Sequence, residues 1–212
     1  RTFTKPTAKY TWMMRHDITM MRADQLDTSR AMLLGIDMQE KLMPLILDKE
    51  HVISAACKLI GGIKVLELPA IVTEQYPRGI GVTIPQVRNA LAGTDFQSME
   101  KPTFSAWADS KVREAMLALD CPQVIIVGIE THVCVQQTAL DLASRDYDVF
   151  VCADAVGSRG RLDYKCSLHR MRQNGVMVTT VESVLFELCQ SSAAPRFKAL
   201  LEIIKSSPPT TD

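Results

Sequence analysis

A chain of 212 residues is long enough for one α/β domain with a well-buried core. Lysine plus arginine equals aspartate plus glutamate at 24 each, so net charge gives no support for a nucleic-acid or membrane-surface partner. The six cysteines, at positions 57, 121, 134, 152, 166 and 189, lie far apart with no CxxC pair, which points to a reducing, intracellular compartment, and no apolar stretch approaches the roughly 18 residues of a transmembrane helix.

Residues 1–30 carry no clear apolar period. The first sixteen hold Arg1, Lys5, Lys9 and Arg15 without an acid, a charge pattern shared with transit peptides that leaves cytoplasm and mitochondrion both open. Asp17, Asp24 and Asp27 soon dilute that charge, and the segment reads as an extended arm preceding a domain at 31–206, with 207–212 as a tail.

Residues 31–36 form a short buried strand that ends at Asp37, and a carboxylate at a strand's carboxyl end lies where open α/β sheets bind ligands. Val52, Ala55, Ala56, Leu59, Ile60 and Ile63 then fall on one helical stripe, and 70–73 is a second strand, which completes a βαβ unit. The loop at 74–81, EQYPRGIG, either rims a site or serves as an ordinary crossover. Residues 84–91 predict a short helix, 96–101 a third strand delivering Lys101 ahead of Pro102, and 109–119 an amphipathic helix broken at Cys121-Pro122.

The stretch at 123–142, QVIIVGIETHVCVQQTALDL, organises the rest. Val124 to Val127 reads as a strand buried on both faces, and after Gly128 the period becomes helical through Val135, Ala139, Leu142 and Ala143. With Thr131 as N-cap, Cys134 lies near the positive end of a helix dipole, which is expected to lower the thiol pKa and favour the reactive thiolate. A buried, inert cysteine is the competing reading.

Residues 148–152 give a fifth strand, ending in Asp154 and a turn at 157–160. Arg159, Arg161, Lys165, Arg170 and Arg172 form the one basic cluster, read as a solvated helix face or subunit contact in preference to an RNA surface because stacking aromatics are scarce there. A sixth strand follows at 176–178. Thr179 with Glu182 predicts a capping box for a helix at 181–188, and Pro195 is expected to start a last helix with Phe197, Leu200, Leu201 and Ile204 as its stripe. The alternation is that of a doubly wound parallel sheet.

Neither a GxGxxG turn nor a GxxxxGK loop is present, and HExxH and GxSxG are missing too. His16, His51, His132 and His169 are not spaced as a metal set, and His132 lies two residues from Cys134, so on a helix their side chains diverge. What remains is a carboxylate, a lysine and a thiol at the ends of three different strands: Asp37, Lys101 and Cys134.

The segments GIDMQ at 35–39, KPTFS at 101–105, GIETHVCVQQTALDL at 128–142 and VFVCADAVGSR at 149–159 resemble the isochorismatase-like cysteine hydrolase superfamily. TEQYPRGIG, TTVESVLFELC and PRFKALLEIIK are similar to its eukaryotic isochorismatase domain-containing branch and extend the match almost to the C-terminus. The resemblance implies a Rossmann-like, three-layer α/β/α fold around a six-stranded parallel sheet of order 3-2-1-4-5-6, with Asp37, Lys101 and Cys134 as a catalytic triad. It also implies an oxyanion hole from the backbone N–H groups of Glu130 and Cys134, a cis peptide between Ile129 and Glu130, a small-molecule substrate, no cofactor, and a homo-oligomer. In such a triad Cys134 attacks, Asp37 moves the proton, and Lys101 holds thiolate and carboxylate in register.

Candidate substrate-binding residues are Gln39, Gln75, Tyr76, Phe104, Ser105 and Trp107, with Gln75 orienting a polar group and Tyr76, Phe104 and Trp107 walling a small pocket. The nicotinamidase branch carries a DxH metal motif where this chain reads TEQYPRG, so metal-assisted nicotinamide hydrolysis is not expected. Isochorismate cleavage in the superfamily does not need the cysteine, so Cys134 favours a thiol-dependent hydrolase of an amide, imide or ester. An RNA-processing or RNA-binding protein and a non-catalytic scaffold are the readings from other classes.

Overall fold

Every residue of the strand β1, Ala31–Ile36, is buried, as is every residue of β4, Gln123–Ile129. Strands of this kind are stable only with an apolar layer on each face, and that is the architecture of the computed structural model, which describes residues 25–206. The basic charges expected on residues 1–16 and the tail 207–212 lie outside the described residues. Of the preceding arm, residues 25–30 are described and dock on the domain. Leu26 is fully buried, its N–H donates to Glu187 Oε1 at 2.9 Å, and the Gln123 amide accepts from Asp27 N at 2.8 Å and donates to Gln25 O at 3.1 Å.

With β2 (Ala70–Gln75), β3 (Phe96–Lys101), β5 (Asp148–Gly157) and β6 (Met177–Thr179), the strands form one parallel sheet of order β3-β2-β1-β4-β5-β6. This is the α/β topology expected from the resemblance. Successive side chains alternate between faces. Leu33, Val72, Ile125 and Val127 meet α1 (Lys49–Leu66), α2 (Pro85–Leu91), α6 (Val181–Cys189) and α7 (Phe197–Lys205). Leu34, Ile71, Val124 and Ile126 meet α3 (Ser110–Leu119), α4 (Gln136–Ala143) and α5 (Arg161–Gln173) on the other. The stripe from Val52 to Ile63 is the buried face of α1. Among the described residues no helix is long and apolar enough to cross a membrane.

Several boundaries move, each for a local reason. β2 runs on through Glu74 and Gln75 because they pair with Glu100 and Lys101, so the loop opens with a single helical turn, Pro77–Ile80. β5 continues to Gly157, regaining register with β4 after a shift between Ile126 and Gly128. Thr180, not Thr179, caps α6 and bonds the Ser183 N–H, since Thr179 still pairs in β6 and the expected capping box does not form. α7 begins at Phe197, two residues beyond Pro195, with Arg196 at its N-cap.

Candidate active site

Strand order alone puts the ends of β1 and β4 side by side at the switch point of the sheet. Ile36 stands opposite Gly128, whose φ of +121° and closeness to the Ile36 carbonyl leave no room for a Cβ. Asp37 leaves β1 in the left-handed region at φ +50°, a conformation Asp tolerates better than most residues, and its N–H donates to Thr73 O at 3.1 Å.

Register explains how Lys101 reaches this point from β3, two strand spacings or about 10 Å away. Ile36 pairs with Thr73 and Lys101 with Gln75, so three neighbouring strand ends present Asp37, Thr73, Gln75 and Lys101 within two residues of one another along the strands. Lys101 and Asp37 are both fully buried, with Nζ 2.7 Å from Oδ2. The Thr73 hydroxyl donates to the other carboxylate oxygen at 2.7 Å. Lys101 further donates to Gln75 Oε1 at 2.9 Å, Thr103 O at 3.0 Å and, at 3.3 Å, Phe104 O. An ammonium has three protons, and these acceptors use all of them. Lys101 is therefore a fixed countercharge to Asp37 that acts on the neighbouring sulfur through space.

Cys134 lies on a wide π-type turn, Thr131–Val135, in which Val135 N donates to Glu130 O at 3.2 Å before α4 continues. Glu130 occupies the N-cap position expected for Thr131, whose hydroxyl is instead buried without a hydrogen-bond partner among the described residues. The peptide between Ile129 and Glu130 is cis. Cys134 is 6% exposed, and Asp37 and Lys101 lie close enough for their charges to act on its thiol.

The expected lowered thiol pKa is not found. Burial, above all, pushes the Cys134 thiol up to about 12, and the nearby carboxylates of Asp37 and Glu130 act in the same direction, with Lys101 opposing. A helix N-terminus cannot offset desolvation on this scale together with an adjacent carboxylate. At rest the sulfur carries its proton.

The other expected site residues separate into two groups. Tyr76 and Phe104 are 58% and 54% exposed on the loops after β2 and β3, where a substrate could meet them. Gln39, expected to bind substrate, is fully buried: it accepts from Gln75 N at 2.7 Å and donates to Gln75 O at 3.0 Å and Gly81 O at 2.5 Å, which makes it a strut. Gln75 is tied to Lys101 and to Pro102 O at 2.9 Å. Ser105 donates to Asp141 Oδ2 on α4 at 2.6 Å, and Trp107, expected to wall a pocket, packs edge-on to Tyr147 just before β5 at 5.4 Å, so both anchor the loop after β3 to the body of the domain. Thr73 is the member that sequence reasoning missed; a hydroxyl closing an otherwise apolar strand was the available signal.

A crevice of about 630 Å³ opens beyond β5, lined by His51, Asp154 and Lys165 among others, and shares no residue with Asp37, Lys101 and Cys134. The site is chosen by its chemistry, not by volume. Among the described residues no group of three His, Cys, Asp or Glu side chains is arranged to hold a metal ion.

A family model described as the isochorismatase domain matches residues 31–183. Isochorismatase domain-containing protein 2 of Xenopus laevis is 36% identical over 191 residues, which cover 90% of this chain and 91% of that protein. A solved structure from Caenorhabditis elegans, described as the MAR1 ribonuclease, superposes with a TM-score of 0.82 at 35% identity and covers 88% of this chain and 95% of that one. The Escherichia coli YcaC gene product, described as an octameric hydrolase of unknown specificity, gives a TM-score of 0.77 at 25% identity, covering 87% and 97%.

Proposed function

The chain belongs to the isochorismatase family, and from that premise we propose that it is a cysteine-dependent hydrolase of a small amide, imide, ester or related substrate, using Asp37, Lys101 and Cys134 as its triad. The single observation that carries this reading is the fully buried Asp37 carboxylate, held by Lys101 and Thr73, whose charge acts directly on the Cys134 thiol. A buried carboxylate fixed beside a thiol raises the sulfur's proton affinity, which serves no packing purpose but places a base on the S–H bond.

The mechanism follows from the protonated resting state. Sulfur attack on the carbonyl carbon and transfer of its proton to Asp37 are coupled, because the free thiolate is scarce. The tetrahedral oxyanion takes the backbone N–H groups of Glu130 and Cys134, a donor pair of which each member is worth on the order of 3 kcal/mol in the barrier. Asp37 returns the proton to the leaving group, and an acyl thioester remains. Water then adds to the thioester while Asp37 takes its proton, and the acid departs as the thiol re-forms. Lys101 stays beside Asp37 as a fixed countercharge through these steps without leaving its own acceptors. Tyr76 and Phe104 offer uncharged walls at the mouth.

The test is a screen of amides, imides and esters with quenched-flow peptide mass mapping. The expected result is turnover accompanied by an acyl mass on the peptide that contains Cys134. Turnover with every acyl adduct on another residue, or with none under conditions that trap thioesters, would contradict the proposed nucleophile.

The word ribonuclease describes the Caenorhabditis relative. An RNA function here would need the basic cluster free to meet phosphates, yet Arg159 pairs with Glu130 at 3.0 Å and Arg161 with Asp48 at 3.7 Å. Family membership also supports a homo-oligomer, and the six unpaired cysteines support a reducing, intracellular setting, cytoplasmic or mitochondrial.

A further inference from the structure

The end of β5 and the two residues after it contact, in succession, the end of β4 and the turn that carries Cys134. Gly157 pairs with Ile129 in the sheet, the Ser158 hydroxyl is 3.0 Å from His132 Nδ1, and Arg159 donates to one oxygen of Glu130 from both its backbone N, at 3.1 Å, and its side-chain Nε, at 3.0 Å. Ile129, Glu130 and His132 belong to the seven residues that lead from β4 into Cys134 and Val135. Ser158 is itself held from behind, its carbonyl accepting from Leu47 N at 3.1 Å, so the brace rests on the body of the domain.

The Glu130 side chain is 11% exposed and Arg159 60%, so a largely buried carboxylate near Cys134 is paired with a solvent-facing cation from the loop after β5. Without it, the carboxylate would lie close to both the sulfur and the developing oxyanion, and would repel negative charge on either. We propose that Arg159 is a positioning residue: by clamping Glu130 it neutralises that carboxylate and holds the cis-peptide turn in the orientation from which its backbone N–H groups meet the substrate. The inference rests on the reading of Cys134 as nucleophile, and it moves Arg159 from the basic surface cluster to the support of the site. Like charges near an ionising thiol disfavour the thiolate, and an opposite charge on that neighbour relieves the effect.

The test uses Cys134 alkylation by iodoacetamide in the full chain, followed by peptide mass mapping between pH 7 and pH 10. Arg159→Ala is expected to slow Cys134 alkylation about five-fold, the effect of a partly exposed charge pair, and Arg159→Lys to restore most of it. Glu130→Gln alone is expected to speed it, and adding Arg159→Ala to Glu130→Gln to change nothing more, because the charge that Arg159 compensates is gone. If Arg159→Ala slows alkylation equally in the Glu130→Gln background, or in neither background, the clamp is overturned. Failure of the nucleophile reading is distinguishable: the acyl adduct of the substrate screen would then lie off Cys134 whatever happens in this cycle.

Discussion

Cys134→Ala is expected to remove on the order of 10⁴-fold or more of the turnover of any substrate the chain hydrolyses, with a small residue left from substrate positioning and the backbone donors. Deleting one sulfur from a small buried site costs stability on the order of 1 kcal/mol, so the variant folds and the loss is chemical. Progress curves on purified wild type and variant, with matched thermal unfolding, make the comparison. Turnover that survives in Cys134→Ala would mean that water adds to the substrate directly, and the thiol would be a bystander.

Lys101→Met is expected to lower stability by about 3–5 kcal/mol, because it leaves the fully buried Asp37 carboxylate without its countercharge and with the Thr73 hydroxyl as its remaining charge-stabilising donor. For a domain of this size that loss lowers the melting temperature by roughly 6–20 °C. The double variant Asp37→Asn, Lys101→Met removes both charges together and is expected to recover most of the loss, since breaking a buried pair costs far more than replacing it. Calorimetry on the two variants and wild type decides. A single variant within about 1 kcal/mol of wild type would show that the pair is not desolvated as described.

Much of the framework was legible because the signals are redundant. The buried runs at 31–36 and 123–129 announce two-sided burial, and the stripe from Val52 to Ile63 announces the crossover helix between β1 and β2. Asp37 could be placed from its position after a strand, and the motif match added Lys101 and Cys134 to it. What escaped depends on register and on burial, neither of which a one-dimensional pattern encodes. Nothing in the sequence says that β2 overshoots β1 to Gln75, yet this overshoot sets Gln75 beside Lys101 and lets the lysine span β2 to reach Asp37. Gln39 is polar and near the motif, and only its three bonds to the β2 end and Gly81 reveal a strut. The direction of the thiol pKa was missed for a related reason. A helix N-terminus is visible in the sequence, whereas the apolar packing around the sulfur and the carboxylate near it are not, and in this chain they decide the sign.

That sign gives the most direct measurement of the central idea, a protonated thiol primed by Asp37: the rate of Cys134 alkylation against pH in wild type, Asp37→Asn and Lys101→Met. The wild-type rate is expected to keep rising well beyond pH 9 toward an apparent value near 12. Asp37→Asn removes a charge that raises the thiol, so it is expected to lower that value and speed alkylation near neutral pH even as hydrolysis is lost, and Lys101→Met, which removes the one opposing charge, is expected to push it higher. A Cys134 that titrates at or below the ordinary thiol range, unmoved by Asp37→Asn, would contradict the coupling of carboxylate and sulfur on which the proposed hydrolase depends.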